Sequence, residues 1–181
     1  MNETLRIRYA LSGSMLGCML VACTDKGICY AAFGDAPRPL EGALRARFAH
    51  APIERDDQAL RGSVRAVDEM LSRPHDNIQL ALDVRGTVLQ LQVWNALRTI
   101  PAGRTVTYTE LARMVGRPRA VRAVANACAA NPVAVVIPCH RVVRCDGGLG
   151  GYYWGIERKR TLLRWEADTA RVSANSRPVR R

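Results

Sequence analysis

Lysine is almost missing from this 181-residue chain, with two lysines against 25 arginines, and acidic side chains are scarce too, 16 against 27 basic ones. Histidine occurs three times and phenylalanine twice. The six cysteines (Cys18, Cys23, Cys29, Cys128, Cys139, Cys145) form no C-x-x-C pair and follow no secretory leader, which argues against a disulfide scaffold and a zinc ribbon. A reduced, cytoplasmic protein is expected, in a bacterial cell one that joins the nucleoid when on DNA. No apolar run approaches the roughly 20 residues of a membrane span, so no membrane partner is expected. Charged residues at 24% and hydrophobics at 48% are ordinary globular values and exclude wholesale disorder.

What is present is an excess of positive charge, +11 with a pI near 10.1, and it is segregated. Residues 1–84 carry 10 basic and 11 acidic groups, residues 85–164 carry 13 and 3, and residues 165–181 carry 4 and 2. A basic segment of this kind is the footprint of a polyanion partner, most often nucleic acid, although a solubilising surface has the same composition. The arginine bias suits forked phosphate contacts and equally suits a high-GC genome.

Thr4 to Leu11 alternates, with Leu5, Ile7, Tyr9 and Leu11 on one side, as a half-buried strand does. Met15–Cys23 and Ile28–Phe33 read as two more strands after the turns at Gly13-Ser14 and Asp25-Lys26-Gly27, giving a small antiparallel meander. Cys18, Cys23 and Cys29 fall within these runs, where core filling outweighs metal ligation. Leu40, Leu44 and Phe48, then Leu60, Val64, Val67 and Leu71, have helical spacing, and Ile78, Leu80, Leu82 and Val84 alternate as a further strand. His50 and His75 read as surface residues. Residues 1–84 thus form an α+β supporting domain, and the charge changes at its end.

Residues 85–167 are mainly helical and winged-helix-like in expectation. Val88–Arg98 reads as a helix with Val93, Trp94 and Leu97 inward. Thr107-Tyr108-Thr109-Glu110 is a capping box that opens a helix closed by Gly116, and a second helix runs from Pro118 to about Ala130. Two helices joined this tightly in a basic segment form a helix-turn-helix. Projection of the second helix puts Val121, Val124, Ala125 and Cys128 inward and Arg119, Arg122, Ala123, Asn126, Ala127 and Ala130 outward. Alanines flanked by arginines make a smooth face that lets the backbone approach a partner, the plainer reading being an Ala-rich surface helix. A last helix is expected from Ile156 to about Ala167, with Arg158, Lys159 and Arg160 outside and Leu162, Leu163 and Trp165 inside. Residues 168–181 read as a basic disordered tail.

The stretch Val133–Ile137 reads as a buried strand that delivers Pro138-Cys139-His140-Arg141-Val142 to its end. By itself this leaves Cys139 evenly divided between a buried hydrophobe and a reactive thiol. A thiolate is a soft nucleophile suited to alkyl carbon, and a neighbouring base or positive field lowers its pKa, which His140 and Arg141 could supply. Glycines 147, 148, 150 and 151 and the aromatics Tyr152, Tyr153 and Trp154 follow, either as a pocket wall or as a packed loop.

Pro138-Cys139-His140-Arg141-Val142 resembles the hallmark of the O6-alkylguanine-DNA alkyltransferases, and the resemblance extends over residues 5–167. Val93-Trp94, Ile100-Pro101, Tyr108, Gly116-Arg117-Pro118, Arg122-Ala123-Val124, Asn131-Pro132, Gly151-Tyr152, Lys159, Leu162-Leu163 and Glu166 match that family in order and spacing. Within it, Ala127-Cys128-Ala129-Ala130-Asn131 and Gly151-Tyr152-Tyr153-Trp154-Gly155 are most similar to the carboxy-terminal part of the bacterial adaptive-response member.

The resemblance implies a ribonuclease H-like first domain over residues 1–84 and an alkyltransferase domain over 85–167. It implies irreversible transfer of an alkyl group from O6-alkylguanine in double-stranded DNA to Cys139, and leaves activity on O4-alkylthymine open. His140 would be the base, held by Glu166. Tyr108 would help to flip the nucleotide and donate to the leaving guanine, Asn131 would brace the segment, and Arg122 would fill the gap in the stack. Ala123, Ala127 and Arg119 would lie against the minor groove. Val142, Tyr152, Tyr153 and Trp154 would line the alkylguanine pocket, Trp154 narrowing it against benzyl groups because it stands where several members have glycine. A monomer without metal or cofactor is expected. The four-cysteine zinc region and regulatory region of the adaptive-response member are not expected, nor phosphotriester repair or transcriptional activation. Leu89 stands where many members have phenylalanine, a packing change. The rivals are a non-catalytic helix-turn-helix DNA-binding or regulatory module and a thiol hydrolase. The module lacks a use for Cys139, and a hydrolase draws its Cys-His pair from distant segments.

Overall fold

The computed structural model describes residues 5–175, with side chains through Arg171. Thr4, and residues 176–181 of the expected tail, lie outside the described residues. The apolar runs near the start form β1 (Ile7–Ser14), β2 (Gly17–Thr24) and β3 (Gly27–Gly34), an antiparallel meander. Gly27 closes the second turn at φ +148°, and a Cβ there would stand 2.4 Å from the Ala81 carbonyl oxygen, so the turn needs glycine twice over. A short β4 (Ile53–Arg55) pairs with β1 in parallel, giving the order β3-β2-β1-β4. Helices α1 (Pro37–Arg47) and α2 (Arg61–Ser72) pack on the sheet through Leu40, Leu44, Val67 and Leu71.

Residues 78–84 alternate without forming a strand. They lie along the outer edge of β3, joined to it by the bridge of Leu82 to Ile28. The Ile28 amide donates to the Ala81 carbonyl at 2.9 Å and the Asp83 amide to the Ile28 carbonyl at 2.9 Å. Alternation reports one-sided burial, which an extended segment achieves without a full ladder.

The second half is α3 (Val88–Arg98), β5 (Val106–Thr107), α4 (Tyr108–Met114), α5 (Val121–Ala129), β6 (Val142–Val143) and α6 (Ile156–Asn175). Thr87 with Gln90 and Thr107 with Glu110 form complete capping boxes at α3 and α4. Helix α5 starts at Val121 rather than Pro118, because residues 117–120 are spent on the turn. The Arg117 amide donates to the Ala112 carbonyl at 2.8 Å and the Ala120 amide to the Arg117 carbonyl at 2.9 Å. Strands β5 and β6 pair in parallel and set the start of α4 beside the segment after Cys139.

Two expectations about the last helix fail. It continues to Asn175, so residues 168–175 are helical rather than a disordered tail. The sequence offers no breaker there, and the added turn packs against both halves: the Thr169 hydroxyl lies 3.2 Å from His75 Nε2 in the first, and Ala170 lies beside Gly103 in the second. Lys159, placed outside, is fully buried, whereas Trp165, placed inside, is 36% exposed with its indole N–H donating to the Leu71 carbonyl. Lys159, Leu162, Leu163 and Glu166 follow i, i+3, i+4, i+7, a stripe that the positive charge of lysine concealed.

Candidate active site

The run Val133–Ile137 is not a strand but a tight loop, built around one side chain. Asn131, buried, accepts the Val133 amide on Oδ1 at 2.9 Å and donates from Nδ2 to the Ile137 carbonyl at 2.7 Å and to Cys139 Sγ at 3.2 Å. Inside the loop the Val136 amide bonds the Ala134 carbonyl at 2.8 Å, which forces Val135 to φ +69°. For a β-branched residue this conformation costs about 1–3 kcal/mol and persists only where its surroundings over-determine it. They do so here: β3 grips the loop through Ala31, whose amide donates to the Pro132 carbonyl at 3.0 Å and whose carbonyl accepts the Ala134 amide at 2.9 Å. A short apolar run does not reveal such a turn by periodicity.

The loop ends in a 3-10 turn, Cys139–Arg141, which separates the three side chains. His140, fully buried, places Nε2 2.8 Å from Glu166 Oε1, while its Nδ1 has no hydrogen-bond partner among the described residues. Arg141 forks onto the Glu166 carboxylate from Nε and Nη2 and donates from Nη1 to the Ile100 carbonyl. The Gly103 amide donates to Glu166 Oε2 at 3.0 Å, and His75 Nε2, expected to be a plain surface group, lies 3.0 Å from the Glu166 carbonyl oxygen. Lys159 Nζ donates to the carbonyls of Val142 (2.6 Å) and Leu149, with Gly151 at 3.5 Å.

Burial pushes the Cys139 thiol up to about 11, against the Asn131 hydrogen bond and the Lys159 charge, which favour the thiolate. The expected lowering of this thiol is therefore overridden by desolvation. Burial likewise pushes His140 below its ordinary value, with Glu166 opposing. Burial alone would raise the Glu166 carboxyl, but the hydrogen bonds and charges of His140 and Arg141 outweigh it and bring it down to about 2. The resting arrangement is a neutral thiol and a neutral imidazole whose partner carboxylate is ionised.

Above Cys139 opens a cavity of about 410 Å³, bounded by Tyr108, Cys128, Ala125 and Ala129 on one side and Tyr152 and Trp154 on the other. Burial raises the Tyr108 phenol to about 12, so it stays a donor. Its hydroxyl packs where Gly150 (φ +69°) lacks a side chain, since a Cβ there would lie 3.2 Å from that oxygen. Trp154 is buried edge-on between Tyr152 (5.1 Å) and Tyr153 (5.5 Å), whereas Tyr153 is 71% exposed. A cavity of about 530 Å³ lies elsewhere, at Cys29, Phe48 and Arg85, without a comparable cluster of buried polar groups.

Arg119, Arg122 and Ala123 are exposed, as are Arg113 in the last turn of α4 and Arg117 in the turn before α5. Ala127 is a correction: it is 4% exposed and packs inward, its carbonyl accepting the Trp94 indole at 2.9 Å. Val124, Ala127, Cys128 and Asn131 repeat at i, i+3, i+4, i+7, the stripe that turns inward, and Ala125 moves to the cavity rim. Sequence reasoning also missed Cys128, Ala125 and Ala129 as cavity wall. No group of three or more potential metal ligands occurs among the described residues.

A family model described as 6-O-methylguanine DNA methyltransferase, DNA binding domain, matches residues 88–168. The chain is 50% identical over 167 residues to the bifunctional transcriptional activator/DNA repair enzyme Ada of Escherichia coli strain K12, which covers 92% of this chain but only 47% of Ada. It therefore spans about half the length of that relative. It is 38% identical over 146 residues to the inducible methylated-DNA–protein-cysteine methyltransferase of Bacillus subtilis strain 168, covering 79% of this chain and 80% of the other. Among solved structures, Mycobacterium tuberculosis OGT in complex with DNA superposes with a TM-score of 0.75 at 33% identity, over 89% of this chain and 93% of that one.

Proposed function

The chain belongs to the 6-O-methylguanine DNA methyltransferase family, and from that premise we propose that it repairs DNA by moving an alkyl group from the O6 of guanine to its own Cys139. The observation that carries this reading is the buried group Asn131–Cys139–His140–Glu166 at the floor of a cavity next to the arginine-bearing α5.

The thiol proton passes to His140, whose Nδ1 is the ring nitrogen left over once Nε2 has engaged Glu166. The Cys139 thiolate forms a bond to the alkyl carbon as the carbon–O6 bond breaks, the Tyr108 hydroxyl stabilises the leaving guanine anion by a hydrogen bond, and that anion takes a proton from solvent while the imidazolium returns one to it, so no net charge is left. Arg141 and the Gly103 amide keep Glu166 ionised and oriented, so the imidazole accepts the proton in the right tautomer. The product thioether has no route back to a thiol, so each chain acts once. Asn131 holds the sulfur and the loop together. The Val142 carbonyl, the Tyr153 amide and the Tyr152 ring receive the guanine, and Trp154 limits the size of the alkyl group.

A stacked base cannot present its O6 substituent to a buried thiol, so the nucleotide must rotate out of the duplex. In this reading the exposed Arg122 fills the space it leaves, Ala123 is small enough for a minor groove about 6 Å wide, and Arg119 meets the phosphates. One chain contains the whole site, in keeping with a monomer. A DNA substrate and six unpaired cysteines fit a reducing, DNA-containing compartment, in a bacterial cell the cytoplasm.

Adding the protein in less than stoichiometric amount to duplex DNA carrying O6-methylguanine tests this. Lesion loss should stop when it equals the amount of protein. Continued loss indicates a turning-over hydrolase, and binding without loss indicates a non-catalytic DNA module.

A further inference from the structure

The loop that walls the cavity is held at both ends by adjacent side chains from the first turn of α6. Lys159 holds the end at Leu149–Gly151. Arg158 holds the other: Nη1 donates to the Trp154 carbonyl at 2.9 Å, Nε donates to the Leu16 carbonyl at 2.8 Å, and Nη2 donates to the Asp35 carboxylate. Leu16 lies in the β1–β2 turn and Asp35 just after β3, so one guanidinium fastens the pocket wall to two points of the sheet. Its planar fork suits three acceptors in different directions, which an ammonium does not match.

Apart from that tie, the Trp154 ring is held by edge contacts with Tyr152 (5.1 Å) and with the exposed Tyr153 (5.5 Å) rather than by polar bonds. Its indole N–H has no hydrogen-bond partner among the described residues. Trp154 lines both the cavity over Cys139 and a smaller cavity of about 140 Å³ bounded also by Tyr30, Ala43 and Arg47. A ring that borders a second empty space has room to move if its backbone is released.

We propose that Arg158 is a specificity-positioning residue: by tying the Trp154 carbonyl to the sheet it keeps the indole over Cys139 and so sets the largest alkyl group the site accepts. This rests on the alkyl-transfer reading given above. Arg158 touches neither the sulfur nor the imidazole, so it acts on pocket width rather than on proton transfer.

The test compares rates of Cys139 alkylation by a duplex carrying O6-methylguanine and by free O6-benzylguanine. Arg158→Leu should raise the benzyl-to-methyl ratio about tenfold, the scale of one buried charge-assisted hydrogen bond. Arg158→Lys, which keeps the charge and one or two of the contacts, should give an intermediate ratio. In a Trp154→Gly background Arg158→Leu should change the ratio no further, because the ring through which it acts is gone. Equal loss of both rates, with the wild-type ratio kept, overturns the proposal by making Arg158 a structural strut only. If Arg158→Leu does not fold, a wild-type ratio in both Arg158→Lys and Asp35→Ala overturns it. Absence of methyl transfer by the unmodified protein removes the underlying reading as well, whereas normal transfer with an unchanged ratio removes this proposal alone.

Discussion

The sheet and the Cys139 loop are both buried, yet they are built on opposite principles. The sheet interior is apolar, with Ile7, Met19, Leu20, Val21 and Ala31 fully enclosed, and any hydrophobic side chain of the right volume would serve. Five buried polar or charged residues occur among the described residues, and four of them, Asn131, His140, Lys159 and Glu166, belong to the Cys139 region. A buried polar group is tolerated only when its partners are in place, so the loop is a network in which each member depends on the others. The sheet supplies stability, and part of that stability offsets the strained Val135 and the desolvated ion pair.

The comparison is broken most severely at Glu166. Glu166→Gln should cost about 3–5 kcal/mol in denaturant unfolding, since the part-buried Arg141 loses its counter-charge and the fully buried His140 its anionic partner, and should also slow transfer sharply. The same carboxylate gives a pH signature. Its folded pKa of about 2 lies below its ordinary 4.5, so its contribution is complete above pH 4.5 and lost as the pH falls towards 2. Unfolding midpoints of the wild type should fall across that window more steeply than those of Glu166→Gln, and parallel curves would contradict the ionised, paired state.

Leu20→Ala in the sheet should cost about 2–5 kcal/mol while leaving transfer by the remaining folded protein close to normal. Asn131→Ala should cost a comparable or smaller amount, about 2–3 kcal/mol for the unpaired Val133 amide and Ile137 carbonyl, but should slow transfer far more. If the two variants lose activity only in proportion to stability, the division between supporting sheet and chemical loop is wrong. The smallest effect is expected at Val135→Gly, where relief of the positive φ offsets the lost burial and leaves a net change within about 1 kcal/mol.

Legibility followed the same division. The three strands, the two helices over them and both α3 and α4 were readable because their side chains obey periods of 2 and 3.6. The reactive position was readable from Pro138-Cys139-His140-Arg141-Val142, whose spacing is chemical rather than periodic. The errors fall where burial and polarity part company. The charge of Lys159 points to solvent although it lies on the inner stripe of α6, alanine at 127 fits either side of a helix, and the five apolar residues of Val133–Ile137 resemble a strand and carry no sign of a turn at Val135. The clamp of Arg158 on Leu16 and Asp35 joins residues more than 100 positions apart, and no local pattern announces it.

The most direct measurement is peptide mapping of the protein after reaction with excess duplex DNA bearing O6-methylguanine labelled in its methyl group. The account predicts one label per chain, on the Cys139 peptide alone, and none in Cys139→Ala, which should still bind the DNA. Label on Cys128 or Cys145 instead, or a wild-type protein that binds the lesion and stays unlabelled, would contradict it.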